Sequence, residues 1–441
     1  MTHESAAAFV ADFERAERAL PGAATPWLAR LRRDALARFA ETGVPTRRDE
    51  EWKYTSLSLL DKERFTSVAN GTERNVTRDE VDAIAIEGLG AHLVVFVDGC
   101  YAPALSRVGS LPAGATLAPL ARLLAEPPGS LQPLLAPVPN ATVFAQLNTA
   151  FMSDGLYLHL ARGTVIEAPI HLVFIATAAG RAVHPRNIVV AAPGARATII
   201  EHYAGGDGAY FTNALTQIVA ADGASVEHFK LQQEGADALH IGGIHAAQAR
   251  ASRFASRSIA LGGALARTDI TTSFDAEGCE ATFDGLYILD GRQHVDHHTR
   301  IDHAKPNGTS RELYRGVLDG GSRAVFNGKV VVHAGAFGSD ARQANHNLLL
   351  SRDAEVDTKP QLEIYAHDVK CTHGATVGQL DPAQLFYLRS RGIDAPAARA
   401  LLTHAFAREV IERIRLAPLR ERLGRWLFAR LPQGAPTPEL P

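Results

Sequence analysis

Apolar residues recur at helical spacing from Ser5 to about Gly43, first as Phe9, Phe13, Ala16 and Leu20, then as Leu28, Leu31, Ala35 and Phe39. Pro21 and Gly22 stand between the two sets, which predicts two helices forming a small helical head. The charged run Arg47-Arg48-Asp49-Glu50-Glu51 then delivers Trp52, Lys53, Tyr54 and Thr55. Two aromatics with apolar bodies and polar tips at this point read as an anchor that pins the head to the next domain. Leu93 to Val97 reads as a short buried strand ending at the turn signal Asp98-Gly99. Pro127 to Ser153 is the longest uncharged stretch, but Pro127, Pro128, Pro133, Pro137 and Pro139 would break a helix. It is expected to be a linker or an irregular wall segment, and no membrane span is expected.

Beyond Gly155 the pattern changes to a succession of short apolar or alternating runs. They include Leu156 to Leu160, Ile170 to Ala176, Asn187 to Ala191, Ala197 to His202, Leu215 to Val219, Val226 to Leu231, Ala281 to Leu289 and Ala324 to Val332. Several begin with a turn residue, a small residue and then alternation, as in Gly194-Ala195-Arg196, Gly223-Ala224-Ser225, Gly278-Cys279-Glu280 and Gly320-Gly321-Ser322. A strand-turn unit repeated without intervening helices suits a β-solenoid or a double-sheet sandwich. The small residues at the corners favour the solenoid. After Gly374 helices return: Asp381-Pro382 is a good start, Gly392 a good stop, and Asp394 caps a longer amphipathic helix that ends before Pro418. A last helix carries Leu419, Leu423, Trp426, Leu427 and Leu431. Pattern leaves open whether these helices cover the end of the solenoid or offer an apolar face to another protein. The expected organisation is a helical N-terminal domain over residues 1–92, a β core over 93–375 and a helical C-terminal domain over 376–441.

Composition narrows the function classes. With 45 basic against 48 acidic residues, the net charge of -3 speaks against nucleic acid as the main partner. Three widely spaced cysteines, Cys100, Cys279 and Cys371, are not a disulfide framework and fit a reducing cytoplasm, and Glu4, Asp12 and Glu14 stand where a signal peptide needs a basic start and an apolar run. Asn327-Gly328-Lys329-Val330 fails as a phosphate-cradling loop, because Arg323 stands where the first glycine belongs and Val330 where a hydroxyl belongs. The chain is therefore not itself a P-loop ATPase, and it carries neither a Gly-x-Ser-x-Gly elbow nor a His-Glu-x-x-His pair.

Two clusters carry candidate chemistry. His294, Asp296 and His298 alternate, so a strand would place all three on one face, with His297 pointing the other way. That face could ligate a cation, as in a solenoid enzyme acting on a carbohydrate or small molecule, or it could be a polar strand face. Cys371 and His373 would also share one strand face, about 7 Å apart, placing a thiolate and an imidazole within reach of one metal or cluster. Gly374 would let the backbone turn just after them.

The run Asp368-Val369-Lys370-Cys371-Thr372-His373-Gly374-Ala375-Thr376-Val377-Gly378-Gln379-Leu380-Asp381, continued by Leu385-Phe386-Tyr387-Leu388-Arg389-Ser390-Arg391-Gly392-Ile393, closely resembles the C-terminal signature of the SufB/SufD family of iron-sulfur cluster assembly scaffolds, in its D-type form. Phe326-Asn327-Gly328-Lys329 with Gln343, Asn345 and Asn347-Leu348-Leu349-Leu350-Ser351 resembles the family's core segment, and Glu50 to Thr55 its N-terminal motif. The B-type paralogue carries a His-Glu-Ala run where this chain has His373-Gly374-Ala375. The resemblance implies a right-handed parallel β-helix flanked by N-terminal and C-terminal α-helical segments, and a non-enzymatic scaffold. It implies pairing with a SufB-like paralogue through the β-helix end, a SufC-like ABC ATPase bound by the C-terminal helices, and a homodimer when the chain is isolated. It also implies that Cys371 and His373 lie where a transient iron-sulfur cluster is built.

Overall fold

The computed structural model describes residues 2–67, 76–138 and 140–430. Its centre is a parallel β-solenoid of about eight turns, so the fold is mainly β with helices at both chain ends, as the strand-turn pattern implied. Each turn contributes one strand to each of two facing sheets, and successive turns pair in register. One sheet grows from Leu156–Leu160 to Glu355–Ile364, the other from His92–Val97 to Lys370–Gly378. The repeat is uneven: the ladder pairs Leu239 with Leu265 but Arg323 with Glu355. Turn length therefore varies, which is why no fixed period shows in the sequence.

The corners follow the expected grammar. Gly194, Gly223, Gly278 and Gly320 all adopt positive φ, between 60° and 74°. The small residues beside them, Ala195, Ala224 and Cys279, stack fully buried inside the corner. Cys279 Sγ lies 3.2 Å from the carbonyls of Ala249 and Ala276, so this thiol fills a structural position.

Three apolar layers hold the molecule together. The lumen between the sheets is one continuous core running from Val94 and Leu156 to Val332 and Ala354. The N-terminal helices Thr2–Ala16 and Pro26–Thr42 clad the outer face of the first sheet, with Phe9, Phe13 and Phe39 packed against Phe211, Leu239 and Leu265. The C-terminal helices Ala395–Glu412 and Ala417–Arg430 clad the outer face of the second sheet, packing Val410, Ile411, Leu423 and Leu427, with Ile414 from the connection between them, on Phe229, Ile259, Leu286 and Leu313. Their apolar side thus lies along the flank of the solenoid rather than over its end. Asp381 and Asp394 cap their helices as expected, accepting from the N–H groups of Ala383 and Ala397.

Some expectations are corrected. The stretch Pro127 to Ser153 is not simply irregular, because Val143–Phe151 is a helix whose Phe144, Leu147, Ala150 and Phe151 are buried. It lies beyond the last of the prolines, so nothing opposes the turn. Pro139 itself, and Leu431 expected in the last helix, lie outside the described residues. The chain does not turn at Gly374: the strand Lys370–Gly378 passes through it, held by its ladder to Asp340–Leu348.

The anchor reading of Glu50 to Thr55 holds. Trp52 is buried, the Arg267 guanidinium sits 3.7 Å from its ring centre, and Phe144 packs on it. Beside it the His298 ring spans Asp296 at 3.0 Å and Glu51 at 3.3 Å, joining head to sheet. Burial pushes the His298 pKa down, but the Asp296 and Glu51 carboxylates outweigh it and raise it to about 9. A proton on His298 therefore stabilises the folded chain fully below about pH 6.5, and that contribution fades as pH climbs through about 9. The joint is worth roughly 2–3 kcal/mol near neutrality. His298→Gln is expected to lower the melting temperature at pH 6 and to flatten its decline between pH 7 and pH 9.5; an unaltered pH profile would show that the ring carries no linked proton.

Candidate functional site

The two ends of the solenoid differ. At the N-terminal end the sheets finish in short antiparallel strands, Ala115–Pro119 and Cys100–Tyr101. At the C-terminal end the last strands, Glu355–Ile364 and Lys370–Gly378, are the final members of their sheets, and their outer edges pair with no strand among the described residues. No further strand covers the lumen there among the described residues. Ile364 and Val377, on its inner side, are 43% and 48% exposed, and Tyr365 and Phe337 lie nearby at 63% and 51%. The following helix, Pro382–Ser390, buries none of its residues and holds Phe386 and Tyr387 in solvent at 74% and 57% exposure. Monomeric proteins rarely expose such a concentration of large apolar side chains beside open strand edges.

Cys371 and His373 sit on the strand that forms this rim. The ladder places Cys371 against Ala341, a buried lumen residue, and His373 against Gln343. Cys371 packs partly against the lumen core, so both side chains leave the strand on the lumen side, as alternation required. Cys371 is half-buried and His373 exposed. Burial pushes the Cys371 thiol up, with the nearby Asp340 carboxylate adding to the rise. The free chain thus holds it as a thiol at neutral pH, and iron would have to displace the proton to gain a thiolate. Cys100 is pushed up further, to about 11, by burial beside Asp154 and Asp98.

Beneath the rim, polar side chains are set among the apolar residues of the lumen core, a feature that alternation along the chain does not isolate. Deeper in, Lys230 Nζ donates to Thr268 at 2.7 Å, Thr212 donates to Glu234 at 2.6 Å, and His240 Nδ1 lies 2.7 Å from Glu234. Nearer the open end Tyr287 donates to Asn347 at 2.5 Å, and Asn345 donates to Tyr287 at 3.1 Å. Burial raises the Glu312 pKa to about 7. The motif residues Gln343, Asn345 and Asn347 all belong to this inner layer, and Gly316 and Gly328 make room for it. A Cβ on Gly316 would lie 2.1 Å from the Tyr287 ring, and one on Gly328 2.1 Å from Gln343 Nε2.

The second sequence cluster does share one face, with His297 pointing into the lumen beside Tyr287 and Tyr314. Its chemistry is already spent. Asp296 accepts from Thr55 at 2.6 Å, pairs with Arg267 at 3.1 Å and holds His298 at 3.0 Å, while Thr55 also meets His294 at 3.1 Å. Although burial opposes it, this company holds the Asp296 carboxyl well below the usual carboxylate range. Among the described residues no group of three His, Cys, Asp or Glu side chains is placed to hold a metal ion. Nor is any helix among them long and apolar enough to cross a membrane.

Comparison with known proteins accounts for this architecture. Residues 174–406 match the family model described as "SUF system FeS cluster assembly, SufBD core domain", and residues 3–172 match "SufBD protein N-terminal region". The chain is 35% identical over 411 residues to the iron-sulfur cluster assembly protein SufD of Escherichia coli, covering 91% of this chain and 92% of that one. It is 35% identical over 420 residues to an iron-sulfur cluster assembly SufBD family protein of Synechocystis, covering 91% of each. The SufD of Bacillus subtilis is 25% identical over 281 residues, 63% of this chain and 64% of that one. Solenoid, flanking helices and rim motif therefore converge, and the chain belongs to the SufB/SufD family of iron-sulfur cluster assembly proteins, in its SufD branch.

Proposed function

We propose that this chain is a non-enzymatic, cytoplasmic scaffold subunit whose open solenoid end pairs with a SufB-like paralogue and, with it, holds a nascent iron-sulfur cluster. The observation that carries this reading is that, among the described residues, no strand pairs with the outer edges of the last two strands, one of which carries Cys371 and His373, while Ile364, Tyr365, Val377 and, on the following helix, Phe386 and Tyr387 are exposed. A partner β-solenoid of the same cross-section would continue both sheets and bury these side chains. Thiolate and imidazole suit iron, and two ligands from one chain are too few for a permanent site. The partner supplies the rest, and a cluster so loosely held can leave. The cluster is cargo here rather than a resident cofactor.

A SufC-like ABC ATPase would dock on the C-terminal helices. Their solvent side carries Arg408, Glu412, Arg415, Glu421 and Arg425, while their apolar side is committed to the solenoid. ATP-driven movement of that subunit would shift the paralogue against this chain and change access to the rim. Anaerobic affinity purification of the chain, co-expressed with a SufB-like and a SufC-like protein, tests the reading directly. Recovery of both partners with iron and acid-labile sulfide is expected; a chain that elutes alone and free of iron would refute it.

A further inference from the structure

Gln343 lies directly under His373. The parallel ladder pairs Glu312 with Gln343 and Gln343 with His373, so the three side chains line one lumen file that ends at the open rim. Gln343 is only 3% exposed, and its two ends are treated differently. Nε2 donates to Glu312 Oε2 at 2.5 Å, while Oε1 has no hydrogen-bond partner. Across the lumen, the absence of a side chain at Gly328 gives the amide its room. In its ionised form, which dominates above about pH 7, the acidic neighbour below can only accept and so claims the NH2 group, which leaves the carbonyl oxygen as the end of the amide without a partner. The next strand stands one ladder spacing away, about 4.8 Å, and presents His373. A buried acceptor kept without a partner beneath an exposed imidazole is a place prepared for that ring's N–H.

The geometry points to Gln343 as the positioning residue for His373: its Oε1 accepts one ring N–H, and the other ring nitrogen is left unprotonated and aimed out of the lumen toward the cluster. This rests on the reading that His373 is a ligand. A ligating imidazole needs one bare nitrogen, and an acceptor at the opposite nitrogen fixes both the tautomer and the ring plane. Glu312 acts one step further down, by deciding which end of the amide faces upward. Asn327 and Lys329 have no such part, since they alternate to the outer face of the opposite sheet.

The test uses the co-expressed, cluster-bearing complex. Gln343→Met removes the acceptor at similar volume; Gln343→Asn keeps an amide but withdraws it by one methylene, about 1.5 Å. Loss of iron to a chelator is expected to quicken about tenfold in both, with an altered histidine-nitrogen hyperfine coupling in pulsed EPR of the reduced cluster. The exchange Glu312→Gln with Gln343→Glu restores an acceptor beneath His373 and is expected to return both readouts toward wild type. Should Gln343→Met fail to fold, the Asn variant decides. Unchanged coupling and chelator loss in the folded variants, alongside depleted iron in His373→Ala, would overturn this inference alone. Normal iron and sulfide in His373→Ala would instead remove the ligand reading and this one with it.

Discussion

Alanine in place of His373 is expected to leave the assembled complex intact while its iron and acid-labile sulfide fall about tenfold or more. The first half follows from exposure. His373 is solvent-exposed on a strand held by backbone pairing to Asp340–Leu348, and surface truncations of this kind shift stability by no more than about 0.5 kcal/mol. The exposed apolar side chains Ile364, Tyr365, Val377, Phe386 and Tyr387 are untouched, so the proposed partner surface survives. The second half follows from ligand count. Outer partners of ligands already shift metal affinity by about 10–100-fold, and loss of one of the two ligands proposed for this chain should reach at least the lower of these. Melting temperature, partner stoichiometry and iron content measured on one preparation separate the two halves. Full iron and sulfide in a correctly assembled variant would show that His373 merely lies near the interface.

Much of the fold could be read from alternation because each solenoid strand has one side fixed by the lumen. Leu156–Leu160 and Ile170–Ala176 match their expected bounds, since both bury Leu, Ile and Phe inward. The strands that alternation does not reveal, Leu239–Gln248, Leu265–Phe274 and Thr309–Leu318, fail the same test for one reason. Their lumen positions include His240, Gly242, Thr268, Glu312 and Gly316, polar or small residues rather than apolar ones; Thr268 accepts from Lys230 across the lumen, and Glu312 accepts from Gln343 on the next strand of its own sheet. A buried polar file looks like a solvated face until the opposite sheet is in view. The helix Val143–Phe151 was hidden by the prolines that precede it.

The rim was legible only in part. Spacing alone put Cys371 and His373 on one face, and motif resemblance gave that face a purpose. What spacing could not supply was the open end, which depends on Lys370–Gly378 being the last strand of its sheet. Gln343 and Glu312 come under His373 only through the ladder. The alternating His294, Asp296 and His298 show the converse. Their common face was legible, but Thr55 and Arg267, which consume its chemistry, arrive from distant elements. A face that reads as a metal site in one dimension becomes a structural joint in three.

Removing residues from Asp394 onward is expected to abolish soluble, monomeric protein, not only ATPase binding. The helices Ala395–Glu412 and Ala417–Arg430 lie on the outer face of the second sheet, where Val410, Ile411, Ile414, Leu419, Leu423 and Leu427 are each at most 3% exposed. At about 1.5–3 kcal/mol for each fully buried side chain, these six contribute roughly 9–18 kcal/mol, comparable with the whole stability of an ordinary domain. Deletion also bares Phe229, Leu231, Ile259, Leu286 and Leu313 as one apolar strip along a parallel sheet, and parallel sheets are ordinarily covered on both faces. It further removes the Arg413 bond to Asp284 at 2.6 Å, leaving that buried carboxylate with only its longer contact to Arg257. Aggregation of the truncated chain on size-exclusion chromatography is the expected result, and a soluble, folded truncation would show that the solenoid is self-sufficient. ATPase docking therefore needs a gentler probe. Charge reversal at Arg408 and Arg415, both solvent-exposed, leaves the packed face alone. Such a variant should fold and keep its SufB-like partner while losing the ATPase; retained ATPase would move the docking surface off this side of the helices.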